Sequence, residues 1–182
     1  MTQTMSRLMR RQGLAATGLN QVVAESEAPK GSIYFHFPGG KEELAAEAIK
    51  ASGESIRRLI DTTLKAADSP EAAIQRLATG LAAVLAASGY EDGCPIATVA
   101  LEASATSDYI CRSSSDAFRS WERAISDRLT EFGWRAEEAD SAASFVLSAL
   151  EGALILSRAY KDTGPLLTVG EQFAARFAAQ NP

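Results

Sequence analysis

The sequence predicts an all-α protein: three short helices at the N-terminus, then a bundle of about six longer ones. Two observations carry this. Apolar residues recur at spacings of three and four along most of the chain, the period of a helix with one buried face. No segment sustains the period-two alternation of β-branched and aromatic residues that marks a strand. The 182 residues are 46% apolar and 23% charged, enough to bury a core and too apolar for wholesale disorder. The 13 Gly and 6 Pro exclude collagen-like or low-complexity character.

Each helix has its own signal. Met5, Leu8, Met9 and Gln12 form a short stripe that stops at Gly13, and Leu19, Val22 and Val23 mark a second helix ending around Ser26–Pro29. From about Lys30, the spacing of Ile33, Tyr34 and Phe37 marks a third, broken by Pro38-Gly39-Gly40. Lys41-Glu42-Glu43 opens a longer helix, its carboxylates at the positive end of the dipole. Leu44, Ala48, Ser52, Ile56, Ile60 and Thr63 share its face. Ser69-Pro70-Glu71 combines a capping serine with proline at the first helical position. The stripe Ile74, Leu77, Leu81, Val84, Leu85 and Ser88 follows, and Gly89–Gly93 is a loop. Pro95 starts a helix to about Ala105. Phe118, Trp121, Ile125, Leu129 and Phe132 define the next, which stops at Gly133. Glu137 to about Tyr160 is an Ala- and Leu-rich helix, and after Gly164-Pro165 the residues Leu166, Val169, Phe173 and Phe177 face one way on the last.

Charge is uneven along the chain. The net charge is -5, yet residues 1–41 carry +3, from Arg7, Arg10, Arg11, Lys30 and Lys41 against Glu25 and Glu27, leaving -8 on residues 42–182. A basic end on an acidic body suits contact with a polyanion, although on charge alone five cations on a short helical segment are somewhat better read as a solvated face. No apolar run reaches the ~20 residues of a membrane span, and the N-terminus lacks a signal-peptide stretch. With two cysteines, Cys94 and Cys111, a reducing cytoplasmic setting with free thiols is expected. A single histidine, His36, excludes a Cys/His zinc cluster, so no metal or cofactor is expected.

The first three helices have the pattern of a helix-turn-helix. Lys30, Gly31 and Ser32 open the third: Lys30 suits a guanine edge or a phosphate, Ser32 suits either, and Gly31 permits close backbone approach. Tyr34 and His36 offer polar tips to phosphates, and Lys41 a further cation beside a helix opening. By pattern alone a small hydrophobic hairpin packed on the body fits as well. An all-α enzyme using His36 with Glu42 or Glu43, and a helical adaptor whose head does not grip DNA, are the rival classes.

Gly13, Thr17, Val22, Lys30-Gly31-Ser32-Ile33-Tyr34, His36-Phe37 and Lys41-Glu42-Glu43-Leu44 resemble, in order and spacing, the DNA-binding signature of the TetR family of bacterial repressors. The match spans roughly residues 5–49. FPGGKEEL at 37–44 and GCPIATVALEAS at 93–104 resemble the lincomycin- and flavonoid-responsive branch. The resemblance implies a homodimer, with residues 1–41 as a helix-turn-helix DNA-binding domain and 42–182 as a ligand-binding and dimerisation domain. Lys30, Gly31, Ser32 and Tyr34 would contact an operator half-site, Thr17, His36 and Lys41 would hold phosphates, and Asn20 and Gln21 would lie near the groove. This sequence departs from the pattern at Glu27, where the family usually has glycine in the turn, and at Pro29, in place of a capping Ser or Thr. Its first helix is also a turn or two shorter than is general.

The body is expected to associate, to sense, or both. Phe145, Ala149, Gly152, Ala153 and Leu156 with Phe173 and Phe177 are the candidate dimer seam, small residues allowing close helix approach. Filling the monomer core is the plainer role for the same residues. Leu81, Leu101, Phe118, Trp121, Ile125 and Phe145 are the candidate pocket for a small hydrophobic or aromatic ligand, against the commoner case that an aromatic stripe is simply core.

Overall fold

A computed structural model describes every residue except Lys30 and residues 179–182, and all but the side chain of Ala178. The described residues form nine helices and no strand. These are α1 (Thr2–Gln12), α2 (Leu19–Glu25), α3 (Ser32–His36), α4 (Gly40–Lys65), α5 (Pro70–Ala87), α6 (Pro95–Ala103), α7 (Asp108–Glu131), α8 (Ala136–Tyr160) and α9 (Gly164–Ala178). They divide into two compact units. Unit 1 is Met1–Ser55 with Cys94–Phe118, and unit 2 is Ile56–Gly93 with the described residues from Arg119 onward. The division falls inside α4 and α7, not at residue 41.

Unit 1 is built on α1, whose Met5, Leu8 and Met9 are buried, together with Val22 of α2, Ile33 of α3, and Leu44, Ala45, Ala48 and Ile49 of α4. The first four turns of α4 therefore belong to the same core as the short helices. α6 packs on α1, burying Ile96 and Val99. Cys94 caps α6, its sulfur accepting the Ala97 N–H at 3.4 Å, and both cysteines are free thiols. The Ser107 hydroxyl donates to the Glu42 carboxylate at 2.5 Å. Gly53 approaches Ala117 so closely that a Cβ would lie 2.8 Å from the alanine methyl.

Unit 2 is a bundle in which α5 packs on α9 and α8. The Ser69 hydroxyl accepts the Ala72 N–H at 3.2 Å, realising the cap signalled by Ser-Pro-Glu. Just before that cap, at the C-terminal end of α4, the Arg128 guanidinium donates to the carbonyls of Leu64 (3.2 Å) and Ala67 (2.7 Å), satisfying acceptors that a helix terminus leaves open. Trp121, Ile125 and Leu129 of α7 lie in the core with Ile74 and Leu85 of α5, Val146 and Leu150 of α8, and Leu166 of α9. Gly170 lets α9 approach α5, a Cβ there meeting the Ala78 methyl at 2.8 Å. α8 has the length and composition of a membrane span, which the sequence reading did not expect. Its Ala139, Ala143, Val146 and Leu150 are buried, as in a core helix of a helical bundle.

The expected dimer seam is split by the structure. Ala153, Phe173 and Phe177 are buried within unit 2, because α9 turns its aromatic face inward. Ala149 is half-buried, while Phe145, Gly152 and Leu156 are exposed. Ile155 and Tyr160, absent from the expected set, are exposed on the same helix.

Candidate nucleic-acid interface

The helix-turn-helix is α2 and α3 in unit 1, and the turn leading into it is fixed by side chains from elsewhere in that unit. Gly13 ends α1 at φ 78°, ψ 174°, a region that glycine alone occupies readily. A Cβ there would collide with the Glu102 carboxylate, which accepts the Ala15 N–H at 2.9 Å. The Ala15 carbonyl in turn accepts from Lys41 Nζ at 3.3 Å. The Thr17 hydroxyl donates to the Gly13 carbonyl at 2.6 Å. Thr17 is completely buried, so in this conformation its side chain braces the turn and does not reach a phosphate, contrary to expectation.

On α2, Asn20 is exposed and Gln21 half-buried. Both ends of the Gln21 amide are engaged: the nitrogen donates to Glu25 at 2.8 Å and the oxygen accepts from Gln12 at 3.1 Å. Glu25 also accepts from the Arg7 guanidinium at 2.5 Å. That bond first, then the one from Gln21, holds the Glu25 carboxyl below its usual 4.5. Glu27 has φ 54°, so the position where the resemblance calls for glycine is left-handed and carries a side chain that this region disfavours.

Gly31 precedes α3 at φ 95°, ψ -14° with open space where its Cβ would stand. The half-buried Ser32 donates its hydroxyl to the Pro29 carbonyl at 2.8 Å. Ile33 faces the core, while Tyr34 is 67% exposed, Phe35 is 82% exposed, and His36 is exposed. Lys30 lies outside the described residues. Tyr34, His36, Gly31, Ser32 and Asn20 thus share one accessible motif, with half-buried Lys41 at the start of α4. Phe35 was not among the expected contacts. The signal was present, since Ile33 fixes the inward face and a residue two positions on must point the other way.

The expected ligand residues are distributed over both units. Leu101 is 80% exposed, because Val99 sets the buried face of α6 and Leu101 lies about 200° around from it. Trp121 and Ile125 are buried in unit 2, Leu81 is half-buried there, and Phe118 is a half-buried residue of unit 1. Phe145 borders an open cleft of about 980 Å³ between the start of α8 and the end of α9. Trp134, Phe173 and Phe177 share that cleft, their rings meeting edge-on at 4.7 to 5.7 Å.

An all-helical chain with an exposed helix-turn-helix and a separate apolar bundle has the build of a DNA-binding transcription regulator. Solved structures agree on the fold. A TetR regulatory protein from Rhodobacter sphaeroides superposes with a TM-score of 0.82 over 96% of this chain and 97% of its own, at 20% identity. A TetR regulator from Legionella pneumophila gives 0.81 over 97% and 94%, also at 20% identity. The model for bacterial regulatory proteins of the TetR family matches residues 5–48. The model for the C-terminal domain of LmrA/YxaF-like transcriptional regulators matches residues 70–172. The chain belongs to the TetR family of bacterial transcription regulators, with an LmrA/YxaF-like C-terminal domain. It is 39% identical to the uncharacterized HTH-type regulator YxaF of Bacillus subtilis, over 93% of this chain and 88% of that protein. It is 35% identical to the HTH-type regulator LmrA of the same organism, over 90% and 87%.

Proposed function

We propose that the protein is a homodimeric cytoplasmic repressor that leaves a palindromic operator when a small hydrophobic or aromatic ligand binds. The observation that carries the reading is the inside-out arrangement of α3: Ile33 buried, Tyr34 and His36 presented to solvent beside Gly31 and Ser32. On this reading Ser32, Tyr34 and Asn20, with Lys30, face base edges, and His36 and Lys41 face phosphates. Lys41 then exchanges its bond to the Ala15 carbonyl for a phosphate oxygen. Gln21 acts through Glu25, holding α2 instead of touching a base. No catalytic activity is assigned to the chain.

Dimerisation is assigned to α8, where Phe145, Gly152, Ile155, Leu156 and Tyr160 fall on one exposed face. A twofold pair on that face suits a palindrome whose half-sites lie about 34–36 Å apart. Ligand reception is assigned to the apolar interior of unit 2, with Leu81, Trp121 and Ile125. A ligand that favours a dimer with another spacing shifts the population away from the DNA-competent state, for which a coupling of about 1–3 kcal/mol suffices.

The test is selection of bound duplexes from random DNA by the full-length protein, followed by titration of the enriched duplex at several salt concentrations. A palindrome bound with a steep salt dependence, and released by members of a panel of planar hydrophobic compounds, is the expected result. Failure to enrich any sequence overturns operator recognition. Enrichment without release by any compound leaves a DNA-binding regulator and overturns the ligand assignment.

A further inference from the structure

Phe35 is the most exposed large apolar side chain among the described residues, at 82%. Ile33, two residues earlier, is 3% exposed and defines the inward face of α3. At 3.6 residues per turn, Phe35 lies about 200° around the helix from it, so its ring points straight out of unit 1. Tyr34 leans aside, a ring carbon lying 3.8 Å from where a Cβ of Gly40 would stand. His36 meets the Phe35 ring edge-on, centroids 5.0 Å apart. The tip of α3 is therefore an apolar disc flanked by two side chains with polar ends.

A phenyl ring left in water forgoes about 1.5–3 kcal/mol of burial, so a surface that takes it up gains from doing so. Of what duplex DNA offers, phosphates and the polar base edges have nothing for a group without donor or acceptor. The C5-methyl of thymine, projecting into the major groove, is the apolar feature that matches it. We propose that Phe35 reads the methyl group of one thymine in each operator half-site, making it a specificity-determining residue. This rests on the DNA-binding reading above and adds the base that the motif demands at one position.

Deoxyuridine lacks only that methyl. In the duplex enriched by the full-length protein, each thymine is replaced by deoxyuridine in turn, symmetrically in both half-sites, and affinity is measured by fluorescence anisotropy. One position is expected to lose about fourfold per half-site, the yield of one buried methyl. Phe35→Ala is expected to bind the thymine duplex more weakly and to respond equally to thymine and deoxyuridine there, while Phe35→Leu keeps part of the discrimination. The side chain is exposed, so both variants are expected to melt like the parent. Uniform tolerance of deoxyuridine by the parent protein overturns the thymine contact while leaving operator binding intact. So does unchanged discrimination in Phe35→Ala, or a kinked duplex showing the ring wedged between base pairs. Failure to enrich any duplex overturns the DNA reading itself, and this contact with it.

Discussion

Unit 1 and unit 2 are each stabilised internally, by different means. Unit 2 relies on bulk: long helices, a buried tryptophan, and an α5–α9 crossing so tight that Gly170 meets Ala78. The turn region of unit 1 relies on individual polar bonds and special backbone angles. Glu102 accepts the Ala15 N–H and Lys41 donates to the Ala15 carbonyl, Thr17 ties back to Gly13, and Gly13, Glu27 and Gly31 all have positive φ. Apolar burial is non-directional and stabilises by area. Directional bonds fix orientation within tenths of an ångström, which a helix presented to base edges requires. The bundle supplies stability and the turn supplies aim.

Trp121→Ala empties a fully buried site and is expected to cost about 3–5 kcal/mol, read as a large fall in thermal midpoint. Gly13→Ala is expected to cost about 2–3 kcal/mol, from an angle only glycine accepts and from the displaced Glu102 carboxylate. Its signature differs, for DNA affinity should fall even at temperatures where circular dichroism shows the helices intact. If Gly13→Ala lowered the melting point and left affinity per folded molecule unchanged, the division of labour would be wrong.

Most of the helices were legible because each carries its own period and punctuation. The sequence places starts at Lys41, Ser69-Pro70 and Pro95, and the structure puts α4, α5 and α6 within a residue of them. The strained turn at Glu27 was legible too, as a departure from a glycine position. Contacts between distant segments were not. The bond from Ala15 to Glu102 spans 87 positions, and no periodicity signals it, so the grouping of Cys94–Phe118 with the N-terminal helices stayed hidden. The same blindness explains Thr17, whose polar side chain turned inward to a backbone carbonyl, and Phe173 and Phe177, whose stripe could equally face a partner or the subunit's own core.

Smaller effects sharpen the picture. Glu27→Gly removes about 1–2 kcal/mol of left-handed strain but raises the entropy of the unfolded chain by about 0.4–1 kcal/mol. The expected balance is a gain of about 0.5–1 kcal/mol in urea denaturation, with tighter DNA binding from the lost negative charge. The smallest effect is electrostatic. Because the Arg7 bond lowers the folded pKa of Glu25 below 4.5, its contribution is complete above that pH and is lost as pH falls through the folded value. Arg7→Ala should flatten this part of the acid limb of the stability profile and leave stability at neutral pH nearly unchanged, as exposed pairs contribute little.

Unit 1 is written in two separate stretches of the chain, and that has a consequence for recombining such regulators. A chimaera spliced at residue 41 would carry the reading helices into a foreign host without the α6 carboxylate that steadies their approach, and without the α4 turns that close their core. Transplanting operator preference from this protein therefore calls for moving Met1–Ser55 and Cys94–Phe118 as one cassette, or for a recipient that already bears an acidic residue where Glu102 stands.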